Sequence, residues 1–126
     1  MSKYQKIILI DDDNIQNLLC RLSIKAVDPS LEVVEFTEPE VSLEYAKDHL
    51  QDHTLVFLDI NMPYMTGWDW LDQFEHINGG SKEKIDIYIL SSSIDPRDKE
   101  KAKENHFVKE YLVKPLSKDV IEKILN

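Results

Sequence analysis

The sequence predicts a doubly wound α/β domain in which five parallel strands alternate with five helices. Three observations predict it. Along 126 residues, apolar runs of strand length alternate five times with segments of helical periodicity. The first and third runs are almost wholly apolar, as parallel strands covered by helices on both faces must be. Both runs end in carboxylates, Asp11-Asp12-Asp13 and Asp59, at the strand ends where open α/β sheets bind their ligands.

Residues 6–10 form the first strand, with Ile7-Ile8-Leu9-Ile10 as its apolar run. Ile15, Leu18, Leu19, Leu22 and Ala26 then fall at helical spacing, with Asp13 or Asn14 as N-cap. Asp28-Pro29-Ser30 breaks that helix, and 31–36 alternates partially as a second strand. Thr37-Glu38-Pro39-Glu40 starts the next helix with a Thr cap, an early Pro and an acidic first turn. Val41, Leu43, Tyr45, Ala46 and Leu50 are its apolar positions. The third strand is 54–58. A loop through Pro63 and Gly67 leads to a helix carrying Trp70, Leu71, Phe74 and Ile77, ended by Asn78-Gly79-Gly80-Ser81, the most flexible-looking segment. The fourth strand is 85–90. Asp95-Pro96 opens a very polar helix running to about Asn105, with Ala102 as its one clear apolar residue. So weak a stripe predicts loose packing. The fifth strand is 111–113, and Ser117 caps a last helix bearing Val120, Ile121, Ile124 and Leu125.

Five such units in one sheet, joined by right-handed crossovers, predict the flavodoxin-like order 2-1-3-4-5 with helices on both faces. The first and third strands then adjoin at the switch point, where Asp11, Asp12 and Asp59 meet. One domain over 1–126, with its core at about 6–125 and no output domain, is expected. The net charge of −9 is unsuited to nucleic acid, because phosphate contacts need Lys and Arg. Cys20 is the only cysteine, so no intrachain disulfide can form, and a buried free thiol is expected. No apolar stretch has the length of a signal sequence or membrane span, so a cytoplasmic, soluble protein is expected.

Clustered carboxylates repel one another, and a divalent cation relieves that repulsion. Oxygen ligands without a Cys/His cluster suit Mg²⁺ and argue against zinc. His49, His53, His76 and His106 are scattered and read as surface residues. Two further strand ends supply a hydroxyl in Ser91-Ser92-Ser93 and an ammonium in Lys114-Pro115. A bound phosphoryl group requires both, one to donate a hydrogen bond and one to offset charge. Alone, each of these residues reads as a cap, a turn or a solvated side chain. At four strand ends of one sheet, that reading becomes improbable.

The chain from Lys6 to Leu125 resembles a response-regulator receiver domain of the stand-alone, chemotaxis type found in two-component systems. The resemblance rests on Asp11-Asp12, on Asp59-Ile60-Asn61-Met62-Pro63 with Gly67, on Ser91 and on Lys114-Pro115. It implies that Asp59 accepts a phosphoryl group from a phosphohistidine on a histidine kinase or phosphotransfer protein. It implies that Asp12, Asp59 and the Asn61 carbonyl bind Mg²⁺, with Asp11 acting mainly through water. Ser91 and Lys114 would grip the phosphoryl oxygens, and Asn61 and Ser93 would tune the lifetime of the adduct. Tyr111 would turn into the space Ser91 vacates and repack the face of the fourth helix, fifth strand and fifth helix for an unknown downstream protein. Lys114-Pro115 would be cis. The protein would then be a switch that labels itself and slowly loses phosphate, not a turnover enzyme.

Departures from the family pattern are modest. Ser91 stands where Thr is frequent and Ser92 where Ala is frequent. The turn before the fifth strand lacks its usual Gly, so Asn105 is expected to take the left-handed conformation. Rival readings fare worse. An Asp-x-Asp phosphatase lacks its second catalytic acid and leaves Asp11, Asp12 and Lys114 without roles. A phosphorylation-independent docking module usually loses an acid or the Lys. A nucleotide-binding domain would need a Gly-rich loop after the first strand.

Overall fold

Strands β1 (Lys6–Ile10) and β3 (Thr54–Leu58) are buried at every position, as their unbroken apolar character dictates. They pair in parallel, Ile7 beside Leu55 and Ile10 beside Leu58. β2 (Glu32–Phe36) adds outside β1. On the other side β4 (Ile85–Ser91) pairs with β3, and β5 (Val108–Val113) pairs with β4. The order β2-β1-β3-β4-β5 is the one expected. The computed structural model describes residues 2–49, 52–78 and 85–126. Among them, the helices are α1 (Asn14–Val27), α2 (Pro39–His49), α3 (Gly67–Asn78), α4 (Pro96–Glu104) and α5 (Lys118–Leu125).

Alternate residues of a strand point to opposite faces, so Ile7 and Ile8 enter different apolar layers. One layer joins Ile8 and Val56 to Trp70, Phe74 and Ala102, from α3 and α4. The other joins Ile7 and Leu55 to Ile24 of α1 and Ile121 of α5. Each fully buried Ile, Leu or Phe here contributes about 1.5–3 kcal/mol. Trp70 stacks on Phe74 at 4.9 Å and donates its Nε1–H to Ser42 Oγ at 2.8 Å, which ties α3 to α2. Asp13, Asp95 and Ser117 cap α1, α4 and α5, each side chain accepting a first-turn N–H.

Four expectations need correction. The row Ile15, Leu18, Leu19 and Leu22 of α1 faces solvent, 61, 40, 53 and 53% exposed, and Ala26 is exposed too. The inward row is Asn17, Cys20, Ile24 and Val27, also at helical spacing. Asn17 decides the rotation, because its buried amide donates to the carbonyls of Asp11 and Phe36, both at 3.1 Å. In α2, Pro39 takes the first helical position, so Glu38 rather than Thr37 stands at the cap, its carbonyl accepting from Val41 and Ser42; Val41 is 48% exposed.

The third correction concerns β5, which begins at Val108 rather than 111. Its first half hides behind Lys109 and Glu110, which an edge strand can leave in solvent. A register shift there pairs Ile87 with Val108 but Tyr88 with Glu110, leaving Lys109 as the extra residue. Fourth, Asn105 keeps a negative φ of −95°. Its side chain accepts from the Phe107 N–H and its carbonyl from the Val108 N–H, so an Asn turn replaces the left-handed one. Leu50 and the segment 79–84 lie outside the described residues.

Candidate functional site

Four strand ends converge at one edge of the sheet. The Asp59 N–H donates to the Ile10 carbonyl at 3.0 Å and the Asp11 N–H to the Phe36 carbonyl at 3.1 Å, so the parallel ladders extend to the acids themselves. Both acids are buried, whereas Asp12 is exposed. Carboxylate oxygens of Asp11, Asp12 and Asp59 lie within 4.8 Å of one another. The Lys114 Nζ reaches both buried acids, at 2.5 Å from Asp11 Oδ2 and 3.5 Å from Asp59 Oδ2. The Lys114 N–H donates to the Ser91 carbonyl at 2.9 Å, and the Lys114–Pro115 peptide is cis.

Ser91 is the last residue of β4 and fully buried. Its Oγ accepts from Asn61 Nδ2 at 3.3 Å and from the Ser93 N–H at 3.2 Å. The Asn61 N–H donates to Asp59 Oδ1 at 3.1 Å. Ser92 rather than Ser91 lines the open mouth, with Asp12, Asp59, Asn61 and Lys114. Tyr111 is half-buried, and its hydroxyl donates to the Ser93 carbonyl at 2.8 Å. Asp13 caps α1 with its side chain and donates its N–H to Asp11 Oδ1 at 3.0 Å.

Sequence reasoning missed two residues that position the site. Asn17 pins the end of β1 to the end of β2, and its signal was a polar side chain spaced with Ile24 along one helix face. Gly67 was read as a loop residue and as part of the family motif, but not as a neighbour of the acid. A Cβ there would stand 2.7 Å from both the Asp59 carbonyl oxygen and Ile60 Cα.

Burial raises the Asp59 carboxyl above its ordinary pKa; the Asn61 N–H and Lys114 pull it down, and the Asp11 and Asp12 charges push it up. Burial pulls Lys114 down, but the hydrogen bond from its ammonium to Asp11 and the charge of Asp59 outweigh that and hold it high. The donor set is oxygen-only and its acids repel, which fits a hard divalent cation with waters completing its shell. Asp12 makes no hydrogen bond or ion pair among the described residues, so its carboxylate is uncommitted. The four histidines are exposed, and burial pushes the half-buried Cys20 thiol up to about 12, which marks it as inert.

Asp59→Asn is expected to raise the melting temperature of the metal-free protein by a few degrees near neutral pH. Folding raises this carboxyl's pKa, so the folded state holds the proton more tightly than the unfolded chain. The acid is therefore neutral and harmless at low pH, and it costs stability as pH rises through the raised value. Thermal melts of both proteins in chelator, from about pH 4 to 8, check this. The advantage of the variant should open with rising pH; an advantage for the wild type at neutral pH contradicts it.

Comparison with known proteins agrees with this arrangement. The family model described as the response regulator receiver domain matches residues 7–126. A two-component response regulator from Cytophaga hutchinsonii shares 30% identity at a TM-score of 0.85, over 94% of this chain and 92% of that one. A response regulator receiver protein from Dyadobacter fermentans has 19% identity and a TM-score of 0.83, covering 94% and 93%. The Vibrio cholerae chemotaxis protein CheY4 has 22% identity and a TM-score of 0.77, covering 95% and 94%; these last two likenesses are of fold. No curated protein sequence matches. No described helix is long and apolar enough to cross a membrane. With its acids, hydroxyl and lysine at the ends of β1, β3, β4 and β5, the chain belongs to the response regulator receiver domain family of two-component signalling.

Proposed function

We propose that Asp59 accepts a phosphoryl group from a phosphohistidine on a sensor histidine kinase or histidine phosphotransfer protein in the cytoplasm. One observation carries this reading: the Lys114 ammonium bridges Asp11 and Asp59 beside an uncommitted Asp12. The Asp59 carboxylate attacks phosphorus in line, a P–O bond forms, the P–N bond to histidine breaks, and the electron pair returns to the imidazole. Asp12, Asp59 and the Asn61 carbonyl would hold Mg²⁺, which when bound would offset the charge of the phosphoryl oxygens. Asp11, whose oxygens already accept from Lys114 and the Asp13 N–H, acts through water. Lys114 turns from the carboxylates to the incoming oxygens. Water later attacks phosphorus, releasing phosphate and restoring the carboxylate, so the protein is a switch and not a turnover enzyme. Asn61 and Ser93 flank that attack.

The readout is conformational. A phosphoryl oxygen offers the Ser91 hydroxyl a charged acceptor, while its oxygen goes on accepting from Asn61 and Ser93. Movement of Ser91 draws in Ser93, whose carbonyl holds the Tyr111 hydroxyl. Tyr111 follows inward, and α4, whose one buried residue is Ala102, shifts with it. The face of α4, β5 and α5 is then repacked for a partner protein.

Intact-mass spectrometry after incubation with acetyl phosphate and Mg²⁺ tests the reading. A gain of about 80 Da, one phosphoryl group, is expected for the wild type and none for Asp59→Asn. No gain in the wild type overturns it.

The solvent-facing row of α1 supplies the docking surface for the phosphodonor. Ile15 stands two residues after the acids, and Leu19 lines one cavity with Asp59 and Lys114. An exposed apolar row continuous with a reactive site marks a protein contact. Leu18→Asp with Leu22→Asp is expected to slow transfer from a phosphohistidine donor about tenfold or more. Labelling by acetyl phosphate should not change. Equal slowing of both donors would place the defect in the site instead.

A further inference from the structure

We propose that Asn17 is a positioning residue that gives the acid pocket a preference for Mg²⁺ over the larger Ca²⁺, by holding the peptide that joins Asp11 to Asp12. This rests on the reading above, in which Asp12 and Asp59 hold the cation. Asn17 is buried on α1, 2% exposed, in a row whose other members, Cys20, Ile24 and Val27, pack into the apolar layer. A buried amide needs hydrogen-bond partners. Its Nδ2 spends both N–H groups on the main chain, donating to the carbonyls of Asp11 and Phe36, each at 3.1 Å. Asn17 does not line the mouth that holds Asp12 and Asp59, so any effect on a cation passes through the turn.

Asp11 is fixed on both sides. Its N–H donates to the same Phe36 carbonyl at 3.1 Å, so the strand ladder holds the peptide before it and Asn17 holds the peptide after it. The Asn17 backbone N–H donates to the Asp13 carbonyl at 3.2 Å, and the Asp13 N–H to Asp11 Oδ1 at 3.0 Å. Three contacts therefore close the turn over 11–13, and two of them come from Asn17. Asp12 sits between the anchored ends, exposed, its carboxylate without a hydrogen bond or ion pair among the described residues. No side-chain contact places that carboxylate; its backbone does, and Asn17 fixes the backbone. Mg²⁺ demands near-ideal octahedral geometry, whereas Ca²⁺ accepts more oxygens in looser arrangements. A carboxylate on a fixed backbone suits the stricter ion, and a loosened one favours the tolerant ion. Asn17 is neutral, so its loss changes the geometry of the pocket and not its charge. Partners that orient a metal's ligands from behind set its affinity in this way.

Titration calorimetry of the metal-free full chain with Mg²⁺ and, separately, with Ca²⁺ tests this. The wild type should prefer Mg²⁺. Asn17→Ala should weaken Mg²⁺ about tenfold or more and Ca²⁺ about threefold or less, so the preference shrinks. Asn17→Ser keeps one donor of the two and should fall between; it carries the test if the Ala variant does not fold. Ile24→Val trims the same helix face away from the turn and should leave both affinities within about twofold of the wild type. A merely structural role for Asn17 would weaken both cations alike and would be matched by Ile24→Val, and either result overturns the proposal. So does a wild type that binds both cations equally, or one that binds Mg²⁺ beside Asn17 variants that bind it as well. A wild type that binds no Mg²⁺ at all refutes the metal reading itself, and the proposal with it.

Discussion

Lys114→Met is expected to slow acetyl phosphate labelling of Asp59 about 100-fold or more, the scale of losing one preorganised charge-stabilising donor. Met keeps the apolar stem and removes the only cation within reach of both buried acids among the described residues. The incoming phosphoryl oxygens then lose a partner that sits 3.5 Å from Asp59 in the resting protein. The metal-free variant should also lose roughly 1–3 kcal/mol of stability near pH 7, less than a sealed ion pair because the mouth admits water. The loss should shrink in acid, where protonating one carboxylate relieves the repulsion, and Mg²⁺ should recover part of it. Labelling kinetics by mass and urea melts with and without Mg²⁺ read both effects. Wild-type labelling would remove Lys114 from the reaction.

Gly67→Ala is expected to cost about 2–3 kcal/mol, the upper range for overpacking. The added Cβ would meet backbone, 2.7 Å from the Asp59 oxygen and 2.7 Å from Ile60 Cα. Backbone cannot rotate aside as a side chain can. Either α3 moves off its hydrogen bond from the Gly67 N–H to the Ile60 carbonyl, 3.1 Å in the native protein, or Asp59 moves from its place beside Lys114. Urea denaturation should show the loss and labelling should slow with it. A neutral substitution would show that α3 can withdraw without disturbing the acid.

Much of the architecture was legible because strand ends are local events. An apolar run closed by Asp marks both a buried strand and its mouth, so Asp11, Asp12 and Asp59 could be placed together from spacing and the rules of parallel sheets. Ser91 and Lys114 followed in the same way, whereas the cis Lys114–Pro115 peptide was implied by the family resemblance. The caps at Asp13, Asp95 and Ser117 were readable because capping joins residues two or three apart.

Periodicity, by contrast, measures spacing and not phase. Helix α1 carries two rows at helical spacing, and the more apolar one faces outward because Asn17 must satisfy carbonyls at the ends of two strands. The first half of β5 was hidden because an edge strand tolerates Lys109 and Glu110, and a bulge breaks its alternation. The sequence by itself determined the order of elements and which ends carry chemistry, since both depend on neighbours along the chain. Only the tertiary structure decided the rotation of α1, the extent of β5, the closeness of Gly67 to Asp59 and the division of Lys114 between two acids. Each of these depends on contacts made across the fold, whose geometry no local pattern encodes.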